Sequence, residues 1–157
     1  DEVKGIDGKW YTSNHATIWR WRKGYQHDFA ARLDWSHNPD FKGANHPPLV
    51  KVNGNLGREP IFIKAAPGAP VTLDAGATSD PDGDEFSFHW YPYREAGSFP
   101  LTIHYRNLKW EGDKTPVLKL NAPATKTPET IHFILEVTDR GQPSLTAYRR
   151  VILQINP

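Results

Sequence analysis

Residues 73–84 read LDAGATSDPDGD and lead directly into EFSFHWY at residues 85–91, and this stretch decides the fold of the chain. A short run of residues ends here and is followed by three aspartates at alternate positions, with Pro81 and Gly83 between them. A run of aromatic residues that includes Trp90 comes next. Proline and glycine fix the backbone of such turns, and aspartate accepts hydrogen bonds from their N–H groups. The stretch therefore predicts two β-strands joined by an acidic turn, with Trp90 in the core.

Length and composition limit the class of protein. The 157 residues are enough for one domain of ordinary size. Only 38% are hydrophobic, but six Trp, six Tyr and seven Phe can fill a core because each buries a large area. A net charge of +1 gives no reason to expect a nucleic-acid or membrane partner. The absence of Cys excludes disulfides and thiolate metal sites.

The first 46 residues carry a helical pattern. After Ser13, whose hydroxyl can cap a helix, apolar side chains recur at spacings of three and four. This stripe consists of Ile18, Trp21, Tyr25, Phe29 and either Leu33 or Arg32. Gly24 costs such a helix about 1 kcal/mol relative to alanine, and residues 38–40 end it. The chain also contains no Met. We therefore interpret residues 1–46 as a helical extension and linker, the tail of an upstream domain.

Residues 47–157 consist of short alternating runs separated by Gly, Pro and Asp. Strands are expected at residues 49–53, 61–66, 71–74, 85–92, 101–105, 116–120, 130–138 and 146–155. The residues expected to face inward in the last two strands are Ile131, Phe133, Leu135, Val137, Val151, Leu153 and Ile155. The spacing predicts a mainly β fold, a β-sandwich. Its acidic turn resembles the junction in immunoglobulin-like modules of the PKD and cadherin-like kind.

The acidic turn is a candidate metal site. Asp80, Asp82 and Asp84 alternate around one glycine, and Asp139 can join them from the loop after the strand at residues 130–138. Calcium takes about six to eight oxygen ligands from carboxylates, carbonyls and water, so these four residues are its candidate ligands. The alternative is a turn in which the aspartates only accept backbone hydrogen bonds. Both interpretations remain open from the sequence.

The aromatic side chains outside the core are candidates for ligand binding. Sugar rings stack on flat aromatic side chains while a few polar groups bond their hydroxyls. Alternation in the aromatic strand assigns Trp90 to the core and leaves the neighbouring tyrosines outside. The predicted platform consists of Tyr91, Tyr93, Tyr105 and Trp110. The alternative is that Trp110 covers an edge of the sandwich and that the tyrosines are ordinary surface residues.

No catalytic motif stands out. The chain contains no Gly-x-Ser-x-Gly elbow, no glycine-rich phosphate loop and no cysteine nucleophile. We therefore expect no catalytic residues and a protein that is not an enzyme.

Several segments together resemble a family of bacterial cellulose-binding proteins. They are TIWRWR at residues 17–22, QHDFAARLDW at 26–35, ANHPP at 44–48, DPDGD at 80–84 and VTDRG at 137–141. Proteins of that family pair a nucleoside-hydrolase-like N-terminal domain with an immunoglobulin-like C-terminal domain. The resemblance implies a secreted or periplasmic C-terminal module, with any hydrolase activity in the upstream domain.

These observations lead to two functional hypotheses. The first is a non-catalytic carbohydrate-binding module for cellulose or a related β-glucan, with calcium as its candidate cofactor. The second is a structural module that packs on the upstream nucleoside-hydrolase-like domain and positions it. The helical stripe favours the second hypothesis, because so apolar a surface has to be buried against something.

Overall fold

The computed structural model describes residues 2–5, 7–99 and 108–157. In this part of the chain the fold is mainly β, as predicted, with four sheets and one α-helix, α1 (Ala16–His37). The strands are β1 (Glu2–Lys4), β2 (Trp10–Thr12), β3 (Lys51–Val52), β4 (Asn55–Leu56), β5 (Ile61–Ala65), β6 (Pro70–Asp74), β7 (Phe86–Pro92), β8 (Trp110–Glu111), β9 (Val117–Asn121), β10 (Glu129–Asp139) and β11 (Thr146–Ile155). The strand expected at residues 101–105 lies outside the described residues.

The largest sheet has the strand order β5–β11–β10–β7. Strand β5 runs parallel to β11, and the other neighbours are antiparallel. Successive residues of a strand point to opposite faces, so one face of β10 and β11 is apolar. The seven side chains expected to face inward are all buried: Ile131, Phe133, Leu135, Val137, Val151, Leu153 and Ile155. The predicted inward row is therefore confirmed, whereas His132 and Ile134, which the same alternation assigns to the solvent face of β10, are also buried, at 7% exposure each.

A second sheet, with the order β6–β9–β8, shares a core with the first. Leu73 on β6 and Leu118 on β9 belong to the same buried cluster as Trp90 and Phe133 of the larger sheet. Val52 of the β3–β4 hairpin joins this cluster. The acidic turn connects β6 to β7 and therefore links one sheet to the other. The division of the chain at residue 46 stays a prediction.

Helix α1 begins later than its sequence suggests. Its N-cap is His15, so the expected cap at Ser13 is wrong, and Ser13 Oγ accepts a hydrogen bond from the His15 amide at 3.1 Å. Most of the predicted apolar stripe is exposed, with accessible fractions of 53% for Ile18, 47% for Tyr25, 64% for Phe29 and 49% for Leu33. No helix within the described ranges is long and apolar enough to cross a membrane.

The helix approaches the sheet through one large aromatic residue, Trp21, and through the small and polar residues Gly24 and His27. The Trp21 ring meets the Tyr148 ring edge to face, with 5.2 Å between centroids. A methyl group at Gly24 would lie 2.5 Å from the Tyr148 hydroxyl oxygen, so the helix backbone lies directly against this strand. One turn further, His27 Nδ1 donates to the Ser144 carbonyl at 2.6 Å. A side chain at residue 24 would therefore displace the Tyr148 hydroxyl, so close packing favours glycine there.

We expect Gly24→Ala to destabilise the protein, although alanine favours a helix by about 1 kcal/mol. The added methyl group meets the Tyr148 hydroxyl, and overpacking of this kind costs about 1–3 kcal/mol. The free energy of unfolding from urea titrations should fall by about 1 kcal/mol. In a Tyr148→Phe background the obstructing oxygen is gone, and the same change should be neutral or stabilising. An equal loss in both backgrounds would contradict the close approach.

Candidate functional site

The acidic turn and the loop between β10 and β11 are both held by aspartate side chains. Asp80 Oδ1 accepts hydrogen bonds from the amides of Asp82 at 2.9 Å and Asp84 at 3.1 Å. Asp139, which is only 2% exposed, accepts two backbone hydrogen bonds within its own loop, including one from Leu145 at 2.7 Å. These carboxylates stabilise backbone turns in the way that aspartate commonly does.

The four predicted calcium ligands lie close enough together for the charges of three of them to act on the fourth, Asp84. Burial, together with the charges of Asp80, Asp139 and Asp82, raises the pKa of Asp84. Two buried acceptor oxygens, Asp80 Oδ2 and Asn45 Oδ1, have no hydrogen-bond partner within the described part of the chain. In that part, no group of three or more acidic, histidine or cysteine side chains is arranged to hold a metal ion. Calcium binding therefore stays a prediction.

Asn45, in the segment that follows α1, joins this segment to the loop between β10 and β11. Its amide nitrogen donates to Asp139 Oδ2 at 3.0 Å and to the Pro143 carbonyl at 2.9 Å. Its own carbonyl accepts a hydrogen bond from Trp35 Nε1 at 2.8 Å, and Asn45 is 8% exposed. A single buried residue therefore ties the end of the helix to this loop.

His46, the next residue, binds the acidic turn. Its backbone amide donates to Asp82 Oδ2 at 2.6 Å, and its Nδ1 lies 3.3 Å from both carboxylate oxygens of Asp82. Its ring stacks on Trp35 and on Phe41, with centroid distances of 5.4 Å and 3.8 Å. Two of the four predicted calcium ligands therefore already have partners: Asp82 is bound by His46, and Asp139 is bound by Asn45.

Tyr91 and Tyr93, two members of the predicted platform, lie under the helix. The Trp21 ring centroid is 6.3 Å from each of their rings. The Tyr91 hydroxyl donates to Glu136 Oε1 at 3.1 Å, and burial next to this carboxylate raises the Tyr91 pKa far above its usual value. Burial also raises the pKa of Tyr148 to about 12. This face of the sheet therefore forms an aromatic contact with the helix.

Trp110 lies in the other sheet, on β8. It is half-buried against the shared core, and its ring meets Phe133 edge to face with 6.1 Å between centroids. Tyr105, the fourth platform residue, lies outside the described residues. The structure places Tyr91 and Tyr93 at the larger sheet and Trp110 at the smaller one, and the platform as a whole stays a prediction.

Sequence reasoning missed the roles of Asn45 and His46, which it assigned to a linker. A signal was present, since an amide and an imidazole directly precede the pair of prolines at residues 47–48. A flexible linker needs neither group, whereas a docked segment needs side chains that satisfy buried partners. Their partners lie 94 and 36 residues away along the chain and could not be identified from spacing.

Comparisons with known proteins point to one family. A family model described as the C-terminal domain of cellulose-binding protein Sde0182 matches residues 70–155. A solved structure of a nucleoside hydrolase-related hypothetical protein from Saccharophagus degradans, described as associated with carbohydrate metabolism, is similar, with a TM-score of 0.83 and 29% identity. The similarity covers 99% of this chain and 40% of that one, so this chain spans less than half of that relative's length.

Other solved structures are similar over a smaller part of the chain. Human CDH23 EC21–23 gives a TM-score of 0.43 at 16% identity, covering 69% of this chain and 35% of that one. The PKD domain from KIAA 1837 protein gives a TM-score of 0.38 at 17% identity, covering 68% of this chain and 87% of that one. Among curated proteins, none matches the chain.

Proposed function

This chain belongs to the family of the C-terminal domain of cellulose-binding protein Sde0182, and we propose that it is a non-catalytic binding module for cellulose or a related β-glucan. The observation that carries the proposal is the family match over residues 70–155, which runs from β6 to β11. We propose a secreted or periplasmic protein in which any hydrolase activity resides in a separate N-terminal domain.

The same proposal includes an immunoglobulin-like β-sandwich. The buried cluster shared by the four-stranded and three-stranded sheets supports it, since two sheets that pack face to face fill one core. The crossing from β6 to β7 through the acidic turn is the kind of connection that such a sandwich uses.

We expect the purified chain to remain bound to insoluble cellulose at about 1 M NaCl, where charges are screened beyond about 3 Å. Stacking of sugar rings on aromatic side chains depends little on salt, whereas adsorption through net charge does. The measurement is a depletion isotherm at low and high salt, with an unrelated protein of similar net charge as the control. Release of the chain at high salt would contradict the proposal.

The predicted platform gives a finer test at single residues. Tyr93→Ala should weaken binding to cellulose, because Tyr93 belongs to the platform and is partly accessible. Phe62→Ala removes a 61% exposed aromatic from β5, at the opposite edge of the same sheet, and should leave binding unchanged. If both variants bound cellulose equally well, Tyr93 would not be part of the binding site.

A second candidate function is supported by the exposed stripe on α1. Tyr25, Phe29 and Leu33 are each about half exposed, and apolar surface of this extent marks interaction sites. In this proposal the stripe packs on an upstream nucleoside-hydrolase-like domain and positions it. Phe29→Asp should abolish association with a separately expressed upstream domain and leave retention on cellulose intact. Association that survives this change would argue against the stripe as the contact.

Calcium is the proposed cofactor of the acidic turn. A ligand that binds only the native state stabilises it by about 2.7 kcal/mol at 100 times its Kd, so calcium should raise the melting temperature. Asp84→Asn should abolish this shift, and in EDTA it should itself raise the melting temperature by relieving repulsion from the neighbouring aspartates. Glu111→Gln is the matched control, because Glu111 is an exposed acidic residue on β8, outside the acidic turn. An unchanged melting temperature with calcium would leave the turn with its backbone role alone.

A further inference from the structure

A groove lies where the β1–β2 hairpin and α1 meet the end of β7. We call it the hairpin groove, and its volume is about 520 Å³. Its walls include Trp10 from the hairpin, Trp19 from the helix, and Tyr91 and Pro92 from the strand. Small-molecule sites typically enclose about 300–1,000 Å³ and combine aromatic walls with a few fixed polar groups. The hairpin groove has both the size and the aromatic lining.

Its two tryptophans are accessible, in contrast to the aromatic residues of the core. Trp10 is 64% exposed and Trp19 is 44% exposed, although tryptophan is usually mostly buried. Tyr91 belongs to the same groove, while its hydroxyl is bonded to Glu136. Flat apolar surfaces from three separate elements therefore line one groove that remains open to solvent.

The polar groups of the groove are held in place by one another. Arg20 Nη2 lies 2.8 Å from Glu95 Oε1, and the Arg20 guanidinium lies 5.7 Å from the centre of the Tyr93 ring. Burial is the largest single influence on Glu95 and opposes its charged form, but the hydrogen bond and positive charge of Arg20, together with a backbone hydrogen bond, outweigh it and lower the pKa of Glu95. A fixed pair of this kind offers both hydrogen-bond donors and acceptors at one edge of the groove.

We propose that the hairpin groove binds a neutral β-linked glucan chain, with sugar rings stacked on Trp10 and Trp19 and hydroxyl groups bonded by Arg20 and Glu95. This inference rests on the proposed carbohydrate-binding function and assigns it to a specific surface. That surface shares Tyr91 with the predicted platform, but it extends to the hairpin and the helix and does not include Trp110.

The charged side chains of the groove define the ligand that competes with a neutral glucan. Arg20 and Glu95 compensate each other, and a pair of this kind can form hydrogen bonds with the hydroxyl groups of a neutral sugar. Lys4 and Arg94 also line the groove, which makes an acidic polysaccharide the competing ligand. Binding measured at different salt concentrations distinguishes the neutral ligand from the acidic one. The attraction of a polyanion weakens steeply as ionic strength rises, whereas aromatic stacking does not.

The test compares matched single variants of the whole 157-residue chain. Depletion isotherms on microcrystalline cellulose at about 1 M NaCl, where the Debye length is about 3 Å, are measured for the wild type, Trp10→Ala and Trp19→Ala. Each tryptophan variant should bind at least about tenfold more weakly, the loss typical of an aromatic residue at the centre of a binding site. Phe29→Ala is the control, because Phe29 is 64% exposed on the same helix and lies outside the groove.

Further variants and a soluble ligand distinguish the outcomes. Trp19→Phe keeps an aromatic surface and should retain most of the binding lost in Trp19→Ala, and thermal melts verify that each variant is folded. Cellohexaose should shift the tryptophan fluorescence of the wild type and shift it less in Trp10→Ala. Wild-type retention with unchanged tryptophan variants would overturn the groove and leave the proposed function standing. Loss of wild-type retention would overturn both, and an equal loss in Phe29→Ala would replace the groove with non-specific hydrophobic adsorption.

Discussion

Asp139→Ala is expected to reduce the free energy of unfolding by about 3 kcal/mol, measured as a shift in the urea midpoint. The Asp139 carboxylate is almost fully buried and accepts hydrogen bonds from Asn45 Nδ2 and from the amides of Gly141 and Leu145. Alanine supplies no acceptor for these three donors. Each buried group left without a partner costs about 1–3 kcal/mol, and relaxation of the loop recovers part of the sum.

Asp139→Asn is the matched control for this change. Its side-chain oxygen can still accept the two backbone hydrogen bonds, so the loss of stability should be smaller than with alanine. A double-mutant cycle with Asn45→Ala then isolates the contact at 3.0 Å between the two side chains. A loss below about 1 kcal/mol for Asp139→Ala would show that solvent reaches these donors and that the junction is looser than the structure indicates.

The strands that the sequence predicted best are those with the strongest alternation. Strands β10 and β11 each carry a continuous inward row of apolar residues, and β11 has the predicted ends at Thr146 and Ile155. Strands β4 and β8 are two residues long and were not predicted, because two residues cannot show a period.

The helix shows a limit of periodicity as a guide to packing. Its existence was predicted, but most of the apolar stripe, including Phe29, is exposed, while Trp21 of the same stripe packs on the sheet. The side near β11 uses Gly24 and His27, which approach the sheet closely and add little to an apolar pattern. The apolar pattern alone therefore did not determine which face of the helix packs within this chain, because Gly24 and His27 make close contacts there beside Trp21.

The hydrogen-bond partners of the acidic turn were not predicted from the sequence. The sequence analysis placed Asp139 near the acidic turn, and in the structure the charge of Asp139 is one of those that raise the pKa of Asp84. The engagement of Asp82 by His46 depends on how the segment after α1 lies across the fold. Contacts between residues so distant along the chain depend on tertiary packing, which single-residue propensities do not contain.

Trp90→Ala is expected to have the largest effect of any single change considered, a loss of about 3–5 kcal/mol in the free energy of unfolding. Trp90 is 1% exposed within the shared core, as predicted from the aromatic strand. Its indole nitrogen also donates to the Thr115 carbonyl at 3.1 Å, which links β7 to the segment before β9. Truncation of Trp90 to alanine would leave a large cavity in the core and would also leave the Thr115 carbonyl without this hydrogen bond.

Trp110→Ala provides the comparison, because it also removes a tryptophan side chain, but from a half-buried position. Trp110 packs on the edge of the core beside Phe133, so its removal should cost less than half as much as removal of Trp90. Trp90→Phe keeps much of the buried area but loses the hydrogen bond to Thr115, and its cost should fall between the two. If Trp110→Ala proved the more damaging change, the core would be organised around β8 and the assignment of the β7 faces would be wrong.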